Sequence, residues 1–250
     1  MNHRRLFVLC AMSCALTTVT LNADVAATIA KARAFLGGES ALDAVRSIHY
    51  VGTTTESDSK GDSPAFPIDI VFQKDFQQRI TVAKPDQTEI IALDDYDAWH
   101  RVQDTNAPDR GQTILYVGEK VKELRATSWE NLAFFKGLED IGGSVVDDGL
   151  VDLDGKKVHK MTFIHEPGLV YVRYFDADSG QLILSETDQG SRIREDGELR
   201  VEGVRFPQRI VIANTSASGE VRKVIITISK VTVNEKFPDD FFSVPLVIPK

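Results

Sequence analysis

Residue types that usually perform acid–base or metal chemistry are sparse and scattered in this 250-residue sequence. The segment HEPGL at His165 begins like a zinc-protease helix, but Pro167–Gly168 predicts a turn and no second histidine follows at the required spacing. The other histidines beyond residue 23, His49, His100 and His159, lie on separate predicted strands. Polar residues on a solvated sheet face are the simpler interpretation. The sequence therefore indicates no metal site.

Nucleophilic and phosphate chemistry are no better represented. Both cysteines, Cys10 and Cys14, precede residue 24, and the sequence contains no G-x-S-x-G segment and no glycine-rich phosphate loop. DADSG, starting at Asp176, resembles the start of a calcium loop, but Gly180 stands at the next acidic position, so a hairpin turn is preferred. We therefore expect no catalytic residues, no cofactor and no enzyme activity.

The N-terminal 23 residues have the pattern of a secretory signal. Arg4 and Arg5 precede the apolar run LFVLCAMSCAL, and Ala23 provides a cleavage point. We expect export and a single domain over residues 24–250. Because AMSC before Cys14 resembles a lipoprotein-processing box, with Ala11 where a large aliphatic residue is usual, lipid anchoring through Cys14 is the alternative.

The charge excludes some partners. The chain has a formal net charge of −8, and removal of Arg4 and Arg5 with the signal makes it about −10. An acidic surface repels nucleic acid and anionic headgroups, so we expect no nucleic-acid partner. It does not oppose binding of an apolar ligand inside the fold.

The elements that must position any site begin with helices. DVAATIAKARAFLGG predicts a helix ended by Gly37 and Gly38, and Ser40 is predicted to cap a short second helix. Alternating apolar residues then predict strands joined by short turns, which makes them antiparallel neighbours. They comprise HYVGTTTES, FPIDIVF, RITVA, TEIIAL and AWHRVQ.

The period becomes helical from about residue 117 to residue 140. Thr127 and Glu130 fit a capping box, which predicts two helices, GEKVKELRA and SWENLAFFKGLED. Further strands follow between recurrent turn pairs, and the change of face within VRKVIITISKVTV predicts a bulge. Pro238 is predicted to begin a short helix carrying Phe241 and Phe242.

Helices between two runs of strands predict an α+β fold that is mainly antiparallel β. We expect a half-open curved sheet, an incomplete barrel, with helices covering its concave face. Incomplete packing between two apolar surfaces leaves an apolar pocket, the usual form of a ligand site.

The aromatic segment around Trp129, Phe134 and Phe135 has two interpretations. Aromatic side chains on a helix are usually core, yet this helix is apolar around much of its circumference, more than one packing face requires. The same side chains could be core in an empty protein and pocket wall in a loaded one. We expect the cavity to be lined by Leu124, Trp129, Leu132 and Phe135, and from the sheet by Ile70, Phe72 and Trp99.

Four segments together resemble the bacterial outer-membrane lipoprotein-sorting superfamily, the LolA/LolB-like proteins, in their divergent periplasmic branch. They are KARAFLGGESALDAVRSIHYVGT, YFDADSGQLILSE, VEGVRFPQRI and VTVNEKFPDDFFSVP. The resemblance implies a periplasmic protein with a hydrophobic cavity for lipid or lipoprotein acyl chains beneath a helical lid. In well-studied carriers a strand arginine holds the lid closed, but no motif places that arginine in this sequence.

The resemblance favours a carrier in outer-membrane lipoprotein sorting, with an envelope protein that loads or accepts cargo and transient membrane contact. The alternative is a non-enzymatic envelope sensor or assembly module of the same fold that acts through protein–protein contacts. Bound lipid would support the first hypothesis, and a stoichiometric protein partner without lipid the second.

Overall fold

The computed structural model describes residues 18–166, 168–216 and 218–245. Cys14 and most of the expected secretory signal lie outside these ranges. The helices within them are α1 (Thr18–Leu36), α2 (Glu39–Asp43) and α3 (Glu119–Leu132), and Glu139–Ile141 forms one 3-10 turn. The first predicted helix is confirmed as part of α1. Three other helix predictions require correction.

The described chain is dominated by β structure. In chain order the strands are β1 (Ser47–Asp58), β2 (Gly61–Asp62), β3 (Phe66–Gln73), β4 (Gln77–Ala83), β5 (Gln87–Asp94), β6 (Asp97–Asp104), β7 (Ala107–Tyr116), β8 (Ser144–Leu153), β9 (Lys156–Glu166), β10 (Leu169–Asp176), β11 (Leu182–Thr187), β12 (Ser191–Asp196), β13 (Leu199–Val201), β14 (Val204–Phe206), β15 (Arg209–Thr215) and β16 (Val221–Val233).

Fourteen of these strands form one antiparallel sheet that does not close. Its order is β7-β6-β5-β4-β3-β1-β16-β15-β12-β11-β10-β9-β8, with β2 attached to β1, while β13 and β14 form a separate hairpin. The first strand, β1, pairs with the last strand, β16. This pairing joins two meanders, one of β1 and β3–β7 and the other of β8–β12, β15 and β16. The predicted α+β architecture with an incomplete barrel is confirmed.

The predicted bulge lies in the pairing of β1 with β16. Val51 pairs with Lys230 and the next residue, Gly52, pairs with Ile228, so Ser229 is the extra residue. Because of this insertion Ile226 and Ile228 share one buried cluster with Val231 and Val233, despite their opposite phase along the strand.

The second and the last predicted helices differ from the structure. The α2 helix begins at Glu39, with Gly38 at its N-cap and no side-chain cap, so Ser40 lies inside the helix instead of capping it. Near the C-terminus, the amide of Phe241 donates to the carbonyl of Pro238 over 3.0 Å, which makes a turn and not the predicted helix. A segment this short has no periodic apolar face, so hydrophobic periodicity could not distinguish a turn from a short helix at Pro238.

The sheet packs on both sides. On the face that we call the helix-covered face, α2, α3 and the β13–β14 hairpin cover β1, β3 and β16 around Ile48, Phe72 and Phe206. On the opposite face, Trp99 packs with neighbours from β5 and with Val244 of the C-terminal segment. The helix-covered face is therefore the one that positions α3.

Candidate ligand site beneath the central helix

Helix α3 contributes apolar side chains to three neighbouring clusters of the helix-covered face. Leu124 packs with Leu93 and Ala98 of β5 and β6. Leu132, two turns later, joins the cluster of β1, β3 and β16. Trp129 packs toward the other half of the sheet, with Met161 among its neighbours. The helix thus spans the gap between the two meanders, and it is buried on several sides, as its composition predicts.

The aromatic pair that follows α3 does not belong to a helix. The two predicted helices are one helix that ends at Leu132, and Phe134 and Phe135 adopt left-handed φ values of 48° and 71°. The predicted capping box is absent, because the Thr127 hydroxyl donates to the carbonyl of Glu123 over 2.9 Å, inside the helix. The second helix prediction is therefore wrong.

The left-handed turn sends the two rings to different sides. Phe134 packs in the cluster of β1, β3 and β16. Phe135 packs against Phe175 of β10, with ring centroids 5.0 Å apart, and against Phe163 of β9, at 6.4 Å. Continued helical geometry would have placed the adjacent rings about 100° apart on one cylinder. The turn instead fixes both halves of the sheet at the end of α3.

Six of the seven expected lining residues lie on the helix-covered face. Ile70 and Phe72 share a cluster with Leu132, while Leu124, Trp129 and Phe135 lie in the adjoining clusters.

Trp99 lies elsewhere. It packs with Ile90 and Ala92 on the opposite face, and its indole N–H donates to the carbonyl of Phe242 over 2.9 Å. Consecutive strand residues point to opposite faces. Because Ala98 packs in the cluster of Leu124, the next residue, Trp99, points away from α3.

A buried polar cluster ties α3 to the sheet. Glu130, in the last turn of α3 on its solvent-excluded side, accepts a hydrogen bond from Arg173 of β10 and pairs at 2.6 Å with Nε2 of His165 on β9. These three side chains are only 5–6% exposed. The sequence interpretation missed the cluster, because it assigned Glu130 to a capping box and considered His165 only as a metal ligand.

Aromatic rings surround the Arg173 guanidinium. Its carbon lies 4.6 Å from the ring centroid of Phe163, 4.9 Å from that of Phe135 and 5.8 Å from that of Tyr171. Burial lowers the pKa of Arg173 to about 9, against the attraction of Glu195, so the side chain stays cationic at neutral pH. Ring faces and Glu130 together replace the water that this cation loses.

Burial also lowers the pKa of His165 to about 4, although nearby Glu166 favours protonation. Its imidazole is therefore neutral at pH 7 and donates from Nε2 to the Glu130 carboxylate. The edge of the ring packs on Trp129, with centroids 5.3 Å apart. Glu130 is thus held by one cation and one neutral donor, and the cluster carries no excess charge.

A second arginine joins the three helices. Arg33 of α1 is only 1% exposed and binds the carboxylates of Glu39 at 2.6 Å and Asp43 at 2.6 Å, both on α2. It also donates to the carbonyls of Ala133 at 3.2 Å and Phe134 at 3.1 Å, where α3 ends. A cation at a helix C-terminus satisfies exposed carbonyls and complements the helix dipole.

Cavities border α3 on several sides. One of about 420 Å³ lies at its C-terminal end, between Phe76, Trp129 and Leu132. Another of about 620 Å³ lies at its N-terminal end, between Tyr116 of β7 and Leu169 of β10, across the opening of the sheet. A smaller space of about 130 Å³ separates Leu124 and Tyr171.

The described residues offer no metal centre and no membrane-spanning helix. Within those ranges, no three His, Cys, Asp or Glu side chains are grouped so that they could hold a metal ion. None of the helices in the same ranges combines the length and the apolar character needed to cross a bilayer. What the arrangement offers is apolar surface beneath a helix that polar contacts hold in place.

The half-open antiparallel sheet with a helix across its opening is the LolA-like fold. It is similar to the LolA superfamily protein NE2245 from Nitrosomonas europaea, with 12% identity and a TM-score of 0.57, covering 88% of this chain and 97% of that one. A DUF1329 family protein from Desulfovibrio piger has 11% identity, the same TM-score and the same coverage. No family model matches the sequence, and no curated protein is significantly similar to it.

Proposed function

We propose that this chain is an exported, non-enzymatic binding or carrier protein for lipid or lipoprotein acyl chains, in which α3 is the lid. The observation that carries the proposal is the position of α3. It covers apolar side chains of both meanders, with cavities of about 420 Å³ and 620 Å³ at its two ends. A ligand that replaces α3 on these surfaces gains the same apolar burial that the helix loses.

The contact between Glu130 and Arg173 would keep the lid closed in the empty protein. It is placed on the solvent-excluded side of α3, so the lid cannot leave the sheet without breaking it. A buried ion pair stabilises a fold weakly relative to an apolar pair, but it specifies one arrangement. The lid would therefore have a defined closed position without being held so tightly that ligand contacts could not replace it.

Arg33 would set the hinge. It binds the carbonyls of Ala133 and Phe134, directly after the last residue of α3, and its carboxylate partners belong to α2. The C-terminal end of α3 is thus attached to the N-terminal helices, whereas its first turn borders the larger cavity. We expect the lid to open from its N-terminal end.

We further propose that residues 24–250 function as one domain in the periplasm, after removal of residues 1–23, with cargo taken from or given to other components of outer-membrane lipoprotein sorting. The fold supports a carrier of this kind. The acidic net charge of residues 24–250, about −10, favours contact with the cargo's acyl chains over lasting contact with anionic headgroups.

A sensor or assembly module is the second candidate, and the exposed edge strand favours it. Leu115 of β7 and Val117, directly after the strand, are 61% and 80% exposed, and Tyr96 beside them is 67% exposed. Apolar side chains along an unpaired edge suit an added strand from a protein partner. A stable stoichiometric partner in a pull-down, with no lipid in the purified protein, would support this candidate.

Extraction and mass spectrometry of the purified protein test the carrier, together with titration of an apolar fluorescent probe. We expect co-purified lipid, and probe binding that is lost in Phe135→Asp, because a carboxylate beneath the lid excludes an acyl chain. Phe241→Asp, on the opposite face, is the matched control and should still bind the probe. Folded wild-type protein that holds neither lipid nor probe would refute the proposal.

A further inference from the structure

The side chain of Gln78 is buried without hydrogen bonds beneath α3. It is 0% exposed, and neither its amide nitrogen nor its amide oxygen has a partner among the described residues. Its cross-strand neighbours on the same face are Phe72 of β3 and Leu93 of β5. A buried carboxamide without partners is rare in folded proteins, because it has lost its hydrogen bonds to water.

The next residue along β4 shows what a satisfied glutamine looks like in this sheet. Gln77 lies on the opposite face, accepts from Gln73 over 2.6 Å and donates to Asp94 over 2.8 Å. An apolar side chain at position 78 would match Phe72 and Leu93, whereas the glutamine weakens the packing between the sheet and the closed lid.

The lid α3 controls access to Gln78. The Ser128 hydroxyl of α3 donates to the backbone carbonyl of Gln77 over 3.3 Å, so α3 lies directly on this part of β4. Ser128 and Leu132 also line the cavity of about 420 Å³. A ligand that replaces α3 on this part of β4 therefore meets the Gln78 amide between the apolar side chains of Phe72 and Leu93.

We propose that Gln78 recognises an amide group at the head of an acyl chain, an inference that rests on the proposed carrier function. A carboxamide presents two N–H donors and one carbonyl acceptor, and the N–H of a secondary amide in the ligand can donate to that acceptor. An ester of the same shape offers acceptors only, and an alkyl chain offers neither. In a site without water this difference favours the acyl amide, because the other ligands leave the side-chain oxygen of Gln78 without a donor.

Two ligands and two variants test the inference in the whole protein. N-methylpalmitamide and methyl palmitate differ by N–H in place of O, and both are titrated by displacement of an apolar fluorescent probe. We expect the wild type to prefer the amide by about fivefold, the effect of one net hydrogen bond in a buried site. Gln78→Met should bind both ligands equally, while Gln77→Met, on the other face, should keep the preference.

The stability of the empty protein gives a second readout. Gln78→Met removes the unpaired amide, so we expect its Tm to rise by about 2–4 °C, whereas Gln77→Met should lower it. A higher Tm combined with a lost preference distinguishes recognition from a purely structural role, which would change the Tm alone.

Each other outcome has a definite meaning. A wild type that binds both ligands equally, or a Gln78→Met variant that keeps the preference, overturns the inference and leaves the carrier function standing. A folded wild type that binds neither ligand contradicts the carrier function itself. If Gln78→Met does not fold, the side-chain amide NMR signal of wild-type Gln78 decides: the inference requires it to shift with the amide ligand and not with the ester.

Discussion

Glu130 of α3 and Arg173 of β10 form an ion pair that is 5–6% exposed, and it is the buried charge pair that links the central helix to the sheet within the described residues. Its cation also faces the rings of Phe135 and Phe163. The pair therefore connects the position of the helix to the packing of the aromatic residues after it. A change at either partner should affect both stability and access to the site.

Glu130→Gln should destabilise the closed protein. The substitution leaves the buried Arg173 cation without its counter-charge, so we expect the free energy of unfolding to fall by about 3–5 kcal/mol. Association of the apolar probe should become faster, because the lid opens more often. Urea unfolding and stopped-flow fluorescence measure the two effects.

The matched control for this change is Glu123→Gln on the same helix. Glu123 pairs at 2.9 Å with Lys120 at the surface, and such pairs contribute about 0–1 kcal/mol. Equal destabilisation by the two variants would show that the buried pair has no special role.

Arg33→Met should separate the helices from one another. It removes the guanidinium that binds Glu39, Asp43 and the carbonyls at the end of α3, and we expect a loss of about 1–3 kcal/mol in unfolding free energy, mainly from the unpaired carbonyls. Hydrogen exchange should accelerate in α2 and at residues 133–137 before it does in the sheet.

Arg205→Met, at a partly exposed ion pair with Glu198, is the control. It should lower the unfolding free energy by no more than about 1 kcal/mol and leave hydrogen exchange in α2 unchanged. Uniform exchange over the whole chain would contradict the local role.

Sequence patterns predicted the architecture because the strands follow simple rules. In β3 the apolar residues Phe66, Ile68, Ile70 and Phe72 occupy every second position. The change of phase in β16 marks a bulge, which is confirmed because Val51 pairs with Lys230 and Gly52 with Ile228. Both signals are local, since they depend on which face of one strand is apolar.

The path of the chain after α3 was not predictable in the same way. Phe134 and Phe135 have the composition of a helix, yet they adopt left-handed φ values that aromatic residues rarely take. Contacts with two separate clusters, and the hydrogen bond from Arg33 to the carbonyl of Phe134, stabilise this turn. Such a turn depends on residues a hundred positions away, which local propensity does not contain.

The buried cluster of Glu130, His165 and Arg173 was missed for a similar reason. Glu130 also fits a local pattern, because a glutamate three residues after a threonine predicts a cap. Only the sheet shows that α3 turns this residue inward, toward strands that lie 35 and 43 residues further along the chain. The sequence offered one signal of this cluster: Glu130, His165 and Arg173 each occupy an inward position of an otherwise apolar segment.

His165 should make the protein less stable in mild acid. Its pKa is about 4 in the folded protein and about 6.5 when unfolded, so the unfolded chain binds the proton more readily. Stability from the neutral imidazole is complete above pH 6.5 and is lost as the pH falls toward 4, by up to about 3 kcal/mol. Urea unfolding of His165→Asn should lack this loss between pH 6.5 and 4.5. His100→Asn, near the surface beside Glu89, should keep it.

His49 should act in the opposite direction. Asp69 and Glu235 each lie 2.8 Å from its ring nitrogens, and their hydrogen bonds raise its pKa against the effect of burial. The folded protein therefore binds the proton more readily than the unfolded chain. The stability is fully present below about pH 6.5 and is lost as the pH rises through the folded pKa. We expect His49→Gln to be less stable than the wild type at pH 5.5 and to differ least at pH 9; an equal difference at both would exclude titration of His49 as the cause.

Trp99→Phe should lower stability without affecting ligand binding. The indole of Trp99 is 1% exposed and fixes the C-terminal segment on the opposite face through the carbonyl of Phe242. Its loss leaves that carbonyl unpaired and creates a small cavity, which we expect to cost about 2–3 kcal/mol.

Leu132→Ala, on the helix-covered face, should cost about as much and also weaken probe binding severalfold, because it removes apolar surface beside the cavity at the end of α3. Probe titration of the two folded variants separates the faces: weakened binding in Trp99→Phe, with normal binding in Leu132→Ala, would place the ligand on the side of the C-terminal segment.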